Sequence, residues 1–444
     1  MESVDTLVCA RWVLPVEPEG PALEDHAVAI RAGRIVGVLP QAEARARFTA
    51  TETVERPHHA LLPGLVNAHT HAATTLLRGR AENASRSPWL EETTGPVEPH
   101  WVDAEYVRDG TELALAEMLR AGVTCFGDMH LWPEVVARAA AEAHVRVSVG
   151  LVVVEAATRW AAGPDEYIEK GMALRDEYRG DPLVSTRFAP QTPWIAEDAT
   201  LLRIRRLADE LEIPVTTHLH ESAWEVERSL ERHGVRPLGR LKRLGLATPL
   251  LIAVHMTQAS AEDLDCLAAA GAAVVHCPQS NLKLGSGVCP AAELLARGVR
   301  VGLGTDGAAS NNDLDVLAEM QTAGLLAAGV SGRPGRLVAR DLLRMATLEG
   351  ARVLGLSDVT GSLLPGKWAD LCCLDLRVPG SWPVHDLEST LVYACSARQV
   401  TDTWVAGRQL LADGALLYLD ESDVLDRADA WRTRLDAGRG GSQP

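Results

Sequence analysis

The chain has 444 residues, 47% hydrophobic and 23% charged, a balance that fits a globular enzyme too long for one compact core. Its 60 acidic residues against 43 basic ones give a formal net charge of −17, spread along the chain, which argues against nucleic acid and anionic membrane surfaces as partners. No apolar run reaches the ~18–20 residues of a membrane span, and the acidic start Met1-Glu2-Ser3-Val4-Asp5 has no apolar signal core, so a cytoplasmic location is expected.

Residues 1–60 read as β structure. Thr6–Pro15 and His26–Pro40 are rich in Val, Ile and Leu, and Arg31-Ala32-Gly33-Arg34 makes a turn inside the second. The pattern returns near the other end, where Val400–Val405 and Gln409–Leu411 flank Ala406-Gly407-Arg408, and Gly361–Leu376 reads as a further strand pair. Segments 1–60 and 358–420 are therefore expected to form one small β-sandwich, with 421–444 a final helix and tail.

Between them, residues 61–357 alternate apolar runs with helical patterns. The expected strands are Leu65–His71, Thr124–His130, Val145–Val154, Leu183–Pro193, Val215–Glu221, Leu251–Met256, Ala273–Pro278 and Val301–Gly307. Helical stretches such as Asp103–Ala121, Pro164–Tyr178 and Ala199–Leu211 separate them. Strand–helix alternation implies a parallel sheet, and the number of units suits a closed (β/α)8 barrel. No Gly-x-Gly-x-x-Gly follows the first strand, which removes the main support for a dinucleotide fold. The eight cysteines, Cys372 and Cys373 adjacent among them, form no Cys-x-x-Cys pair and read as buried reduced thiols.

In a barrel, chemistry gathers where strands end. Strand one ends in His69 and His71, which alternation places on one face. Strand five ends in His218 and then Glu221, strand six in His255, strand seven in His276 and strand eight in Asp306. Alternation also puts Gly302 and Gly304 on the face of Asp306, leaving room beneath its carboxylate. Three imidazoles and a carboxylate suit Zn²⁺ or another borderline divalent ion with one position open. Glu221, just past its strand, can reach over such an ion to move a proton.

Pro63-Gly64-Leu65-Val66-Asn67-Ala68-His69-Thr70-His71, His218-Leu219-His220-Glu221, Val254-His255, His276-Cys277-Pro278 with Ser280-Asn281, and Gly304-Thr305-Asp306-Gly307 resemble the amidohydrolase superfamily. The nearer likeness is to its TRZ/ATZ branch, which holds methylthioadenosine/S-adenosylhomocysteine deaminases and triazine hydrolases. The resemblance implies His69, His71, His218 and Asp306 as metal ligands, for Zn²⁺ or Fe²⁺. It makes His255 the group that orients water, Glu221 the acid for the substrate ring and Asp306 the acceptor of the water's proton. Trp89 and Glu98 fall at the branch's aromatic and ribose-binding positions; the competing reading is a packing tryptophan beside a solvated glutamate. Gln191 stands where the nucleoside deaminases carry a substrate-contacting histidine, and the segment Glu92–Pro96 lacks their usual aromatic. Arg159 is read as a solvated loop arginine. The fourth strand ends Phe188-Ala189-Pro190-Gln191 without the lysine of two-metal members, so one ion is expected.

The expected activity is hydrolytic deamination of a small heterocyclic substrate, an adenine nucleoside first. An s-triazine, guanine- or pterin-type aminohydrolase or a chlorohydrolase is the alternative, and a metal-free scaffold homologue is the reading from another class. Assembly into a homo-oligomer is left open.

Overall fold

The computed structural model describes residues 1–80 and 100–439, and Trp89, Glu98 and the segment Glu92–Pro96 lie outside them. The strands in chain order are β1 Glu2–Val13, β2 Leu23–Arg31, β3 Arg34–Pro40, β4 Phe48–Pro63, β5 Leu65–Thr70, β6 Val123–Asp128, β7 Arg146–Val153 and β8 Val184–Pro190. They continue with β9 Val215–Leu219, β10 Leu251–His255, β11 Ala273–His276, β12 Arg300–Leu303, β13 Leu371–Asp375, β14 Val400–Val405, β15 Arg408–Ala412 and β16 Ala415–Leu416.

Strands β5 to β12 form one sheet in strict sequence order. Its pairings from β7 to β8 and from β8 through β12 are parallel. Every residue of β5, β6, β7, β9, β10 and β11 is buried, which is why these strands read as unbroken apolar runs without a polar face. Just past β12 the Asp306 amide donates to the His69 carbonyl at 3.0 Å, bringing the last strand's end against the first. The sheet is a (β/α)8 barrel. Gly304 permits that approach, because a Cβ there would lie 2.9 Å from both the amide nitrogen and the carbonyl oxygen of His69. Its role is close contact between strand backbones, in place of the expected room beneath a carboxylate.

The second sheet takes strands from both chain ends, in the order β16-β15-β14-β13-β4-β1-β2-β3. Strands β1 and β4 pair in parallel and the remaining neighbours are antiparallel. The sheet curls until the β2–β3 and β14–β15 turns touch, so that a Cβ on Gly33 would meet the Ala406 carbonyl oxygen at 2.4 Å. Inside the curl Val8, Val28, Ile30, Ile35, Leu61, Leu371 and Trp404 share one buried core. In the segment Gly361–Leu376, expected as a strand pair, only β13 is a strand, with a single bridge from Trp368 to Arg34.

Chain contacts divide the molecule into two units. One comprises Met1–Asn67, Ala116–Cys125 and Asp315–Tyr418; the other comprises Ala68–Leu115, Phe126–Leu314 and Leu419–Pro444. In the second unit the C-terminal helix Glu421–Arg439 is fastened through Arg427 and Trp431, which donate to Asp109 at 2.6 and 2.8 Å. All eight cysteines are free thiols. No described helix is long and apolar enough to cross a membrane.

Candidate metal centre and active site

Four imidazoles and one carboxylate converge at the strand ends. His69 and His71 leave the end of β5, with ring centroids 4.9 Å apart, and His218 at the end of β9 lies 5.2 and 5.3 Å from them. His255, the last residue of β10, stacks on His218 at 5.5 Å. Asp306 Oδ1 lies 3.6 Å from Nε2 of His69 and 3.3 Å from Nε2 of His71. Two overlapping groups have the spacing of a metal site: His69, His218 and His255, and His69, His71 and Asp306.

The outer nitrogens of three rings are already committed. Nδ1 of His71 lies 2.5 Å from the Met129 carbonyl and Nδ1 of His218 lies 2.9 Å from that of Gln191. A carbonyl only accepts, so each Nδ1 carries the proton, and in the neutral ring each Nε2 presents a lone pair inward. Burial opposes charge on His71, but Asp306 beside its Nε2 raises its pKa. The Nε2 atoms of His71 and His218 stand 3.3 Å apart, so in the neutral rings two lone pairs face one another, an arrangement that a bound cation would relieve. In the same way Nδ1 of His255 donates to Asn281 Oδ1 at 2.9 Å. The buried ring nitrogens of His69 have no hydrogen-bond partner among the described residues. The donor set therefore fits a divalent ion, and the anchored outer nitrogens of His71, His218 and His255 set the orientation of those rings.

Burial disfavours charge on His69 and lowers its pKa to about 3, the neutral form a ligand requires. Burial alone would raise the pKa of Asp306, but the His69 and His71 imidazoles beside it hold the carboxyl well below its usual range. Its other oxygen, Oδ2, accepts from the Ser280 and Ser310 hydroxyls at 2.7 and 2.8 Å, leaving Oδ1 to face the histidines.

Glu221 is fully buried, with Oε2 3.5 Å from His255 Nε2. Its position follows from the helix Ala223–His233 that comes next. Ser222 caps that helix by accepting from the Glu225 amide, and the Glu225 carboxylate in turn accepts from the Glu221 amide at 2.8 Å. His220, between His218 and Glu221 in the chain, points elsewhere. Its Nε2 accepts from the Leu238 amide at 3.0 Å, and burial lowers its pKa to about 4.

The strand alternation used to read the site stops at the strand ends. His220, His255 and Asp306 have φ of 52, 80 and 60°, a left-handed region that non-glycine residues seldom occupy. Asp306 lies beyond β12, so its side chain is aimed by this turn rather than by the face Gly302 and Gly304 share with it in sequence. His276 is buried at the end of β11 but belongs to neither metal-spaced group; burial lowers its pKa to about 3. Gln191 reaches the centre through its backbone carbonyl, while the residue is exposed. Arg159 touches loop atoms, with Asp103 at 3.6 Å. Sequence reasoning missed Asp128, whose burial raises its carboxyl to about 6, and the anchoring roles of Ser280, Asn281 and Ser310. Asp128 sat in a strand already named, and only its place at a strand end marked it.

The nearly closed barrel and its ring of histidines define a metal-dependent hydrolase, and the model of the amidohydrolase family matches residues 60–410. The chain belongs to that family. It is 46% identical to a 5-methylthioadenosine/S-adenosylhomocysteine deaminase of Teredinibacter turnerae over 437 residues, covering 98% of this chain and 99% of the relative. A relative of the same name from Saccharophagus degradans is 43% identical over 435 residues, covering 98% of each chain. Among solved structures, an adenosine deaminase from Xanthomonas campestris with bound zinc superposes with a TM-score of 0.97 at 47% identity, covering 98% of this chain and 99% of that one. The zinc complex of an atrazine chlorohydrolase from Arthrobacter aurescens has a TM-score of 0.90 at 23% identity, covering 96% and 100%, a likeness of fold.

Proposed function

We propose that the chain is a mononuclear zinc aminohydrolase that replaces the exocyclic amine of an adenine nucleoside with oxygen. The substrate is 5′-methylthioadenosine or S-adenosylhomocysteine, and the observation that carries this reading is the 46% identity maintained over nearly all of both chains. His69, His71, His218 and Asp306 hold the ion, which when bound supplies a polarised water at neutral pH. Asp306 accepts the proton that water gives up on attacking the ring carbon. Glu221 donates a proton to the adjacent ring nitrogen, and His255 orients the water and the developing tetrahedral centre. Water enters, ammonia leaves, and the ring keeps a carbonyl. Trp89 and Glu98 are the proposed contacts to the 5′ substituent and the ribose hydroxyls, with Gln191 and its exposed amide at the pocket.

The test is ammonia release by the purified protein from 5′-methylthioadenosine, S-adenosylhomocysteine, adenosine, guanine, a pterin and an s-triazine. Turnover of the 5′-substituted adenine nucleosides above the sugar-free rings is expected. Preference for a ring without sugar overturns the nucleoside assignment, and Gln191 is then the first residue to examine.

A further inference from the structure

We infer that Asp128 is a positioning residue that fixes the inward aim of His71, an inference that rests on His71 being a ligand as proposed above. Asp128 is fully buried at the end of β6. One carboxylate oxygen accepts from the Ala72 amide at 2.8 Å, and the other is buried without a hydrogen-bond partner among the described residues. The following residue, Met129, donates its amide to the Thr70 carbonyl at 3.0 Å and accepts from the His71 ring. The β6 end thus grips the chain before His71, at the His71 ring and after it.

The grip is itself held from below. The Arg187 guanidinium, fully buried on β8, donates to the Asp128 carbonyl at 3.1 Å and to that of Ser148. Gly127 leaves space for it, since a Cβ there would lie 2.8 Å from Arg187 Nη2. A buried carboxylate with one bare oxygen costs stability that an apolar side chain would not. What it supplies is an acceptor for the Ala72 amide, the first backbone donor after the ligand. The Ala72 amide needs only an acceptor oxygen in this place, which asparagine keeps, whereas the charge of Asp128 also acts on His71 and Arg187.

The test compares full-length, zinc-loaded wild type with Asp128→Asn, Asp128→Ala and His71→Ala. Zinc affinity is read by competition with a chromophoric chelator, and melting is followed on the metal-free forms. Asp128→Ala is expected to bind zinc about 10–100-fold more weakly, as when an outer partner of a ligand is lost. Asp128→Asn, which keeps the acceptor oxygen, stays within about threefold of wild type. Both variants melt within a few degrees of wild type when metal-free. Normal zinc affinity in Asp128→Ala overturns the inference, as does equal loss in both Asp128 variants. If Asp128→Ala fails to fold, Asp128→Asn still decides, because weak zinc binding by that variant is incompatible with an acceptor role. Zinc held normally by His71→Ala overturns the ligand assignment instead, and this inference with it.

Discussion

Replacing Gly304 by alanine tests the geometry on which the centre depends. The new methyl would sit 2.8 Å from Val275 Cγ1 and 2.9 Å from the amide and the carbonyl of His69. Ordinary carbon contacts lie at about 3.5–4.0 Å, so the seam has to open by roughly 0.6 Å or more. Two of the three atoms are backbone in the strand that carries His69, and the 3.0 Å bond from Asp306 to His69 ties them to the other side of the centre. Overpacking of this kind costs about 1–3 kcal/mol. Because the displacement separates His69 from Asp306, zinc affinity falls by about tenfold or more. The assays are thermal melting of the metal-free protein and chelator competition for zinc. Gly329→Ala is the control. It lies exposed in the helix Val316–Ser331 with nothing within 4 Å of its added methyl, and alanine there is expected to stabilise by about 0.5–1 kcal/mol. A Gly304→Ala variant that melts and binds zinc like wild type refutes the close-approach argument.

Glu221→Gln removes a proton donor without changing shape, and its backbone remains anchored by Glu225 and by the Thr257 hydroxyl at 2.7 Å. The variant should retain zinc and lose about 10²–10⁴-fold in kcat; near-normal turnover assigns the acid elsewhere, and loss of zinc makes Glu221 a ligand. Asp109→Ala strands the Trp431 indole and one arm of Arg427, at a cost of about 2–4 kcal/mol at pH 7, read as early proteolysis of the C-terminal helix. The pH dependence has a definite sign. Burial opposes ionisation of Asp109, but Trp431, Arg108 and Arg427 hold its pKa below the ordinary 3.8. Its contribution is complete above the unfolded value and lost as pH falls through the folded one, so wild type and variant converge below about pH 4 and stay apart above pH 5. A gap that widens on acidification contradicts the assignment.

The barrel was legible because parallel strands buried on both faces carry no polar alternation, and Val145–Val154 or Leu251–Met256 can be read directly as strands. The centre was legible because histidine and aspartate ended those runs. Alternation failed where the backbone turns left-handed: φ of 60° at Asp306 aims the carboxylate independently of Gly302 and Gly304. The anchors were hidden for a different reason. Asn281 and Ser280 act on His255 and Asp306 across 26 residues, and Asp128 acts on Ala72 across 56, so only the folded chain pairs them. The long β4 was equally hidden, since it joins β1 to β13 from opposite ends of the chain.

The central claim is that one ion held by His69, His71, His218 and Asp306 supports deamination of an adenine nucleoside. The most direct measurement is elemental analysis of the purified protein, paired with its rate of ammonia release from 5′-methylthioadenosine before chelation, after it and after zinc is restored. One equivalent of metal per chain, with activity lost on chelation and regained with zinc, is the result expected. Full activity in the metal-free protein, or two equivalents with both required, would contradict it.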